Sequence, residues 1–313
     1  MTPKISVIIP TYNRKEMLKE GIDSVLKQTE KSVEILVVDD VSTDGTSDMI
    51  EAEYGHLGTV RVIKNTVNRQ AGYNRNLAYK QSYGDYLVFL DDDDYYTDNT
   101  FFEKALAIHA SGDFAFVGAN SATKYEDSGL EEVKVLNRVG EVDGKEYLQG
   151  FMTTIKKPNS TFTALFKRKN LEKVDFEHMR MMGDGPIYLR ALLTGNAYLM
   201  EDNIGVYRIH KTNISFNLNI DFLLQTLDEK LWVYRETKKR KIEGIPEDWG
   251  KTQVITTIQF YITHSKPDRM KRKAVVNWVH ENLPEAERET KSLIMKIRLK
   301  AIIKKLLGRE IKL

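Results

Sequence analysis

Apolar runs that do not alternate with polar residues, and that end in polar clusters, constrain this chain more than any other feature. "ISVII" (5–9) runs into "PTYNR", "EILVV" (34–38) into "DDVSTDG", and "DYLVFL" (85–90) into "DDDD". Such runs read as strands buried on both faces of a parallel sheet. "VRVIKN" (60–65) reads as a further strand. Between the strands, Met17, Leu18, Ile22, Val25 and Leu26 fall at helical spacing, "VSTDGTSDMIEAEY" (41–54) reads as a helix start capped by Thr43 or Asp44, and "AGYNRNLAYKQS" (71–82) as a helix. Alternating strands and helices predict a doubly wound α/β layer over the first 95 residues or so. Ligands in such sheets bind beyond the carboxyl ends of the strands. The polar clusters all follow strand ends, so they are expected to meet on one edge.

From about 100 to 215 the pattern becomes mixed: "FFEKALAIHA" is helical, while "FAFVGAN" and "TFTALFKR" are strand-like. Beyond 218 it is helical, with candidates at 221–240, 248–264, 268–281 and 285–307 punctuated by Pro246, Pro267 and Pro284. The 313 residues contain no cysteine, which excludes disulfides and thiolate chemistry and suits a reducing compartment. The apolar stretch before Pro10 is too short for a signal-peptide core, and no run is long enough to cross a bilayer. The expected location is the cytoplasm. Residues 1–215 carry 26 Lys+Arg against 32 Asp+Glu, and residues 216–313 carry 21 against 13, so an acidic site in one part and an anionic partner for the other are expected.

Asp91, Asp92, Asp93 and Asp94 pose the sharpest chemical question, because adjacent like charges are held together either by water or by a cation. Mg²⁺ and Mn²⁺ take hard oxygen ligands, one or two carboxylates among them, and complete their shells with phosphate oxygens and water. A divalent ion on a diphosphate stabilises the charge that develops as a nucleoside diphosphate departs. An EF-hand calcium loop fits poorly, since Tyr95 stands where a ligand is needed and the required glycine is missing. A solvated acidic loop is the other reading. Thr11 and Tyr12 lie just past the first strand, where a hydroxyl and an aromatic ring could meet a ribose and a base, or simply open a helix.

"SVIIPTYNR", "VVDDVSTDGT", "NRQAGYNRNLA" and "FLDDDD", in this order, resemble family 2 glycosyltransferases of the GT-A fold, bacterial surface-polysaccharide type, over roughly residues 4–215. The resemblance implies a Rossmann-like mixed sheet flanked by helices. It divides the chain into a GT-A domain, 1–217, with a nucleotide-binding half (1–95) and an acceptor half (96–217), and a helical C-terminal region, 218–313. By that resemblance Pro10, Thr11, Tyr12, Asp40, Arg75, Asp91, Asp92 and Arg208 bind a UDP-sugar donor, with Asp40 accepting the uracil N–H. Asp93, Asp91 and His210 are the implied ligands of Mn²⁺ or Mg²⁺, and Asp184 in "MRMMGDGPIYLRALLTG" is the implied general base of an inverting transfer to a glycan hydroxyl, with Arg190 in support. Asp184 could also cap the helix that starts near Pro186. Asn74 and Ala78 depart from the family's usual alanine and glycine, which bears on the orientation of Arg75. "PNSTF" (158–162) is expected to border the acceptor, which a lipid could carry.

In "KSLIMKIRLKAIIKKLLGREIKL", Met295, Leu299, Ile302, Ile303 and Leu306 share one helical face, and Lys296, Arg298, Lys300, Lys304 and Lys305 occupy much of the remainder. Such a helix can lie on an anionic membrane at the inner face of the cell, or pack on its own domain or a partner chain, including a second copy in a homo-oligomer. The basic residues lack interleaved aromatics, so nucleic acid is not an expected partner. Two rival functions remain: a sugar-1-phosphate nucleotidyltransferase, which would need a glycine-rich loop absent from "PTYNRKEM", and a non-catalytic nucleotide-sugar-binding subunit.

Overall fold

The apolar runs form the parallel centre of a ten-stranded sheet in a computed structural model that describes residues 3–179, 181–211, 213 and 219–306. Strand β1 (Ile5–Thr11) is flanked in parallel by β2 (Val33–Asp39) and β4 (Tyr86–Phe89), and β2 carries β3 (Val60–Lys64) at the edge. Burial follows position: every residue of β1 is inside, whereas β3 is only partly covered. Helices α1 (Lys15–Leu26), α2 (Thr46–Tyr54) and α3 (Gln70–Gln81) make the connections. The order β3-β2-β1-β4 means that the chain leaves β1 on one side and returns on the other. The carboxyl ends of β1 and β4 are therefore a topological switch point, the place where ligands of such sheets bind. Pro10 lies at that point, still paired with Val38 of β2 but beyond the last residue paired with β4. Its missing N–H removes nothing from the β4 ladder.

After β4 come β5 (Tyr95–Tyr96), α4 (Phe101–Ser111), β6 (Phe116–Tyr125), β7 (Glu131–Lys134), β8 (Gly140–Val142), α5 (Gly144–Gly150), β9 (Ala164–Lys167), α6 (Arg168–Glu172), α7 (Asp184–Leu192) and β10 (Ala197–Ile209). The sheet continues from β4 through β9, β6 and β10 to β5, with β7 on β6 and β8 on β10. Strand β9 runs antiparallel to both neighbours, so the sheet is mixed. The expected strand at 161–168 is in part a 3₁₀ turn, Thr161–Thr163, before β9 begins. Glycine is required at 84, where a Cβ would stand 2.5 Å from the Ser6 backbone nitrogen and the Gly84 N–H donates to the Ser6 hydroxyl. This close approach anchors the start of β4 against β1.

Contacts divide the chain into two compact units, Met1–His210 with Lys241–Gly244, and Lys211–Arg240 with Ile245–Leu313. The division falls at His210, slightly before the expected boundary at 217. The second unit consists of α8 (Ile220–Lys239), α9 (Trp249–Ser265), α10 (Arg269–Asn282) and α11 (Glu287–Leu306), close to the four periodic segments of the sequence. Its core joins Leu223, Leu227, Leu231, Val254, Ile258, Val275 and Trp278. Helix α11 enters that core through Ile294, with Leu293 and Ile297 packed alongside. Met295, Leu299 and Ile303, on the stripe read from the sequence, are 67%, 56% and 45% exposed. Packing on its own unit thus uses a different face of α11 from the one expected. The side chains of Ile302, Lys304, Lys305 and Leu306 lie outside the described set. No helix among the described residues is long and apolar enough to cross a membrane.

Candidate active site

Three strand ends and one helix start build the acidic rim. The turn after β4 carries Asp91–Asp94, closed by the Asp94 N–H donating to the Asp91 carbonyl at 3.1 Å. Asp92, Asp93 and Asp94 are 5%, 4% and 0% exposed, while the Asp91 side chain is 28% exposed. Burying four neighbouring carboxyl groups is expensive unless each is paired, hydrogen-bonded or protonated, and the four meet that demand differently. Asp91 forms a close ion pair with Arg75 of α3. Asp92 accepts from Arg14 Nη1 at 2.7 Å and from the Tyr12 N–H at 3.3 Å, with Thr11 buried beside it. Asp93 Oδ2 accepts from Arg14 Nη1 at 2.6 Å and lies 2.9 Å from His210 Nε2. Asp94 faces inward, with Oδ1 accepting the Arg208 N–H at 3.1 Å and Oδ2 lying 3.2 Å from the Ser160 hydroxyl.

These surroundings pull the acids apart. Burial pushes Asp92 up to about 6 despite the Arg14 charge. Burial also pushes against ionisation of Asp93, but the hydrogen bond to His210 and the charges of Arg14 and His210 outweigh it, so Asp93 sits below the ordinary carboxylate value. Asp94, buried and facing the charges of Asp93 and Asp91, is raised well above it. Burial and neighbouring charge thus drive Asp94 up, while the His210 hydrogen bond and the nearby cations pull Asp93 down.

The other expected residues divide into those that join this cluster and those that do not. Arg75 is buried, and besides Asp91 it donates through Nη1 to the Met182 carbonyl at 2.7 Å. It thereby ties the acidic turn to the segment that leads into Asp184. Asp184 occupies the first position of α7, and the N-cap is Gly183, so the capping role weighed for Asp184 does not apply. Its carboxylate lies 3.6 Å from Lys157 Nζ, and its charge acts on both Arg75 and Asp91. Tyr12 is 50% exposed at the rim. Asp40 is 2% exposed and accepts from Asn65 Nδ2, the Arg69 N–H and the Gln70 N–H, each at 2.8 Å. A carboxylate offers about four acceptor sites, so most of Asp40 is spent on holding the start of α3. Asn74, which departs from the family pattern, accepts from Asn65 Nδ2 at 2.7 Å and completes that chain on the helix that also carries Arg75.

Arg208 differs from expectation. Its guanidinium pairs with Glu20 and Glu126 and sits 4.4 Å from the centre of the Tyr95 ring, so these contacts brace β10 against α1. Thr43 and Asp44 also differ. The N-cap of α2 is Gly45, at φ +82°, and Thr43 donates its N–H to Asn13 Oδ1 at 2.7 Å. Asp44 bridges two helix starts, accepting from the Lys15 N–H at 3.0 Å and the Thr46 N–H at 3.1 Å. Arg190 donates to the carbonyls of Val174 and Asp175 at 2.8 Å and steadies α7 from behind. Arg14 and Lys157 are the residues that sequence reasoning missed. Arg14 was visible inside "PTYNR", yet nothing in a linear string says that this cation, and not Lys15, turns towards the acids.

The donor set suits a hard divalent cation. Ligand atoms of Asp91, Asp93 and Asp94 lie within 4.8 Å of one another, and two of these carboxyls are ionised or ion-paired.

The chain is 28% identical over 239 residues to TuaG of Bacillus subtilis, named for teichuronic acid biosynthesis, covering 76% of this chain and 89% of that protein. It is 27% identical over 212 residues to the GalNAc(5)-diNAcBac-PP-undecaprenol beta-1,3-glucosyltransferase of Campylobacter jejuni, covering 67% of this chain and 66% of that protein. The structure of S. aureus TarS 1-349 in complex with UDP-GlcNAc superposes with a TM-score of 0.71 at 16% identity, over 99% of this chain and 93% of that one, which shows the GT-A fold. The mannosyltransferase PcManGT from Pyrobaculum calidifontis, in complex with GDP-Man and Mn²⁺, gives 0.54 at 17% identity, over 99% and 89%. Residues 6–175 match the family description "Glycosyl transferase family 2", more than half of the sequence, and the chain belongs to that family of glycosyltransferases.

Proposed function

We propose that this glycosyltransferase moves a sugar, hexosyl or N-acetylhexosaminyl, from a UDP-activated donor to a hydroxyl of a glycan acceptor with inversion at the anomeric carbon. The setting we propose is bacterial cell-surface polysaccharide synthesis, on an acceptor that a lipid could carry. The observation that carries the reading is the link through Arg75: one guanidinium joins Asp91 of the acidic turn to the Met182 carbonyl just before Asp184. The acidic turn and the segment that leads into Asp184 are thus tied to one side chain.

Asp93, Asp91 and His210 would hold Mn²⁺ or Mg²⁺, which as a Lewis acid would neutralise charge on the departing diphosphate. Tyr12 offers an exposed ring to the base, and the remaining acceptor site of Asp40 faces the uracil N–H in this reading. As the acceptor oxygen attacks, Asp184 takes its proton. Asp184 stands at the start of α7 with the Lys157 ammonium 3.6 Å from its carboxylate. The exposed stripe Met295–Leu299–Ile303, beside Lys296, Arg298 and Lys300, would seat the protein peripherally on an anionic inner membrane surface, where a lipid-linked acceptor resides.

Relatives support the reading: TarS binds UDP-GlcNAc, PcManGT holds Mn²⁺, and the Campylobacter enzyme is named for an undecaprenol-linked acceptor. The test is a thermal-shift screen of UDP-, GDP- and dTDP-sugars with Mn²⁺, followed by turnover of Asp184→Asn with the donor found. We expect stabilisation by a UDP-sugar, and at least a hundredfold loss of turnover in Asp184→Asn with donor binding retained, as for removal of a general base. Stabilisation by GDP-sugars alone would refute the UDP assignment, and near-normal transfer by Asp184→Asn would remove that residue from the role of base.

A further inference from the structure

One oxygen, Asp93 Oδ2, is claimed twice: Arg14 Nη1 lies 2.6 Å from it and His210 Nε2 2.9 Å. The same Arg14 nitrogen reaches Asp92 Oδ1 at 2.7 Å, so a guanidinium edge sits between two buried carboxylates where a divalent ion would need Asp93. We propose that Arg14 is a resident counter-cation of this site, holding Asp92 and Asp93 while no metal is bound and yielding Asp93 to the ion when a nucleoside diphosphate arrives with it. The inference rests on the metal-dependent reading above.

Three features make Arg14 suitable. Its backbone is pinned independently of its side chain: the Asn13 N–H donates to the Ser42 hydroxyl at 2.9 Å, Asn13 Oδ1 accepts the Thr43 N–H at 2.7 Å, and the Lys15 N–H donates to Asp44 at 3.0 Å. The guanidinium can therefore move without disturbing α1. Asn13 stands at φ +53°, a left-handed conformation that asparagine tolerates and that sends the next residue back over the rim. Finally, a guanidinium and a dication repel each other across a shared carboxylate, while diphosphate oxygens offer that fork a bidentate partner. Metal alone must draw Asp93 away from Arg14 and set a dication beside the guanidinium. Metal arriving with a diphosphate brings anionic oxygens for that fork, so the two ligands should bind with positive coupling.

The experiment is a Mn²⁺ titration of the full chain, followed by the electron paramagnetic resonance of free Mn²⁺, without nucleotide and then with saturating UDP. In the parent protein we expect UDP to tighten Mn²⁺ binding by a factor within about 5–150, the usual range of coupling. Arg14→Gln should bind Mn²⁺ more tightly than the parent when nucleotide is absent, and its coupling to UDP should shrink. Arg14→Lys, which keeps the charge but not the fork, should stay near the parent in nucleotide-free Mn²⁺ affinity and lose part of the coupling to UDP. Asp92→Asn, which removes one anchor of the guanidinium, should move towards Arg14→Gln and provides a second test should that variant fold poorly. Unchanged nucleotide-free affinity in Arg14→Gln and Asp92→Asn, with Mn²⁺–UDP binding intact in the parent, overturns the role of Arg14 alone. Absence of Mn²⁺ binding to the parent even with UDP overturns the metal-dependent reading, and this inference with it.

Discussion

Asp94→Asn separates the structural carboxyl of the acidic run from its ion-binding ones. Ligand atoms of Asp91, Asp93 and Asp94 lie within 4.8 Å of one another. At an effective dielectric of about 20, a third negative charge at that separation meets a repulsion of about 3.5 kcal/mol from each neighbour, which pushes the Asp94 carboxyl up. Asp94 is fully buried as well, and its partners, the Arg208 N–H and the Ser160 hydroxyl, are neutral. Burial and those charges hold it well above the ordinary carboxylate value, and asparagine keeps its shape, with the amide oxygen accepting the Arg208 N–H. The substitution should change stability by less than about 1 kcal/mol, a shift in melting temperature of no more than about 4 °C. Asp94→Ala strands a buried N–H and should cost about 1–3 kcal/mol. The assay pairs thermal melts with Mn²⁺ titration in the presence of UDP. Asp94→Asn should keep Mn²⁺ affinity within about threefold, under 1 kcal/mol of binding energy, and Asp93→Asn should abolish binding. If Asp94→Asn loses Mn²⁺ as completely as Asp93→Asn, the carboxyl is an ionised ligand and the charge reasoning fails.

Two further predictions concern parts of the molecule away from the reaction. Burial lowers His109 from 6.5 to about 4, and its Nε2 lies 3.0 Å from the Leu165 carbonyl, so the folded protein holds it neutral while the unfolded chain binds a proton below 6.5. Its contribution is present above pH 6.5 and drains away as pH falls towards 4, by up to about 3 kcal/mol; melts between pH 7 and 4.5 should fall more steeply for the parent than for His109→Gln, and parallel profiles would show that the ring is not the titrating group. Leu299→Glu, on the exposed stripe of α11, should reduce flotation with anionic vesicles and leave donor binding unchanged; equal flotation would remove that stripe as the membrane contact.

The sequence by itself determined the parallel centre of the sheet, because residues buried on both faces must be apolar throughout, and β1, β2 and β4 are. It also determined the helical second unit, whose periodicity and prolines mark α8 to α11 to within a residue or two. It did not reveal β7, which is exposed along its whole length, or β10, whose register shifts around Asn203 interrupt the alternation that a strand needs to be recognised. That three polar clusters share a rim follows from strand direction alone. Which side chains speak to one another there was a tertiary decision. Arg14 and Arg208 are both cations close in sequence to site residues, yet one turns to Asp92 and Asp93 and the other to Glu20 and Glu126. Four identical letters became one carboxyl held below its ordinary value and three pushed above it, because the titration of a buried acid depends on the donors and charges that distant segments bring within a few ångströms of it.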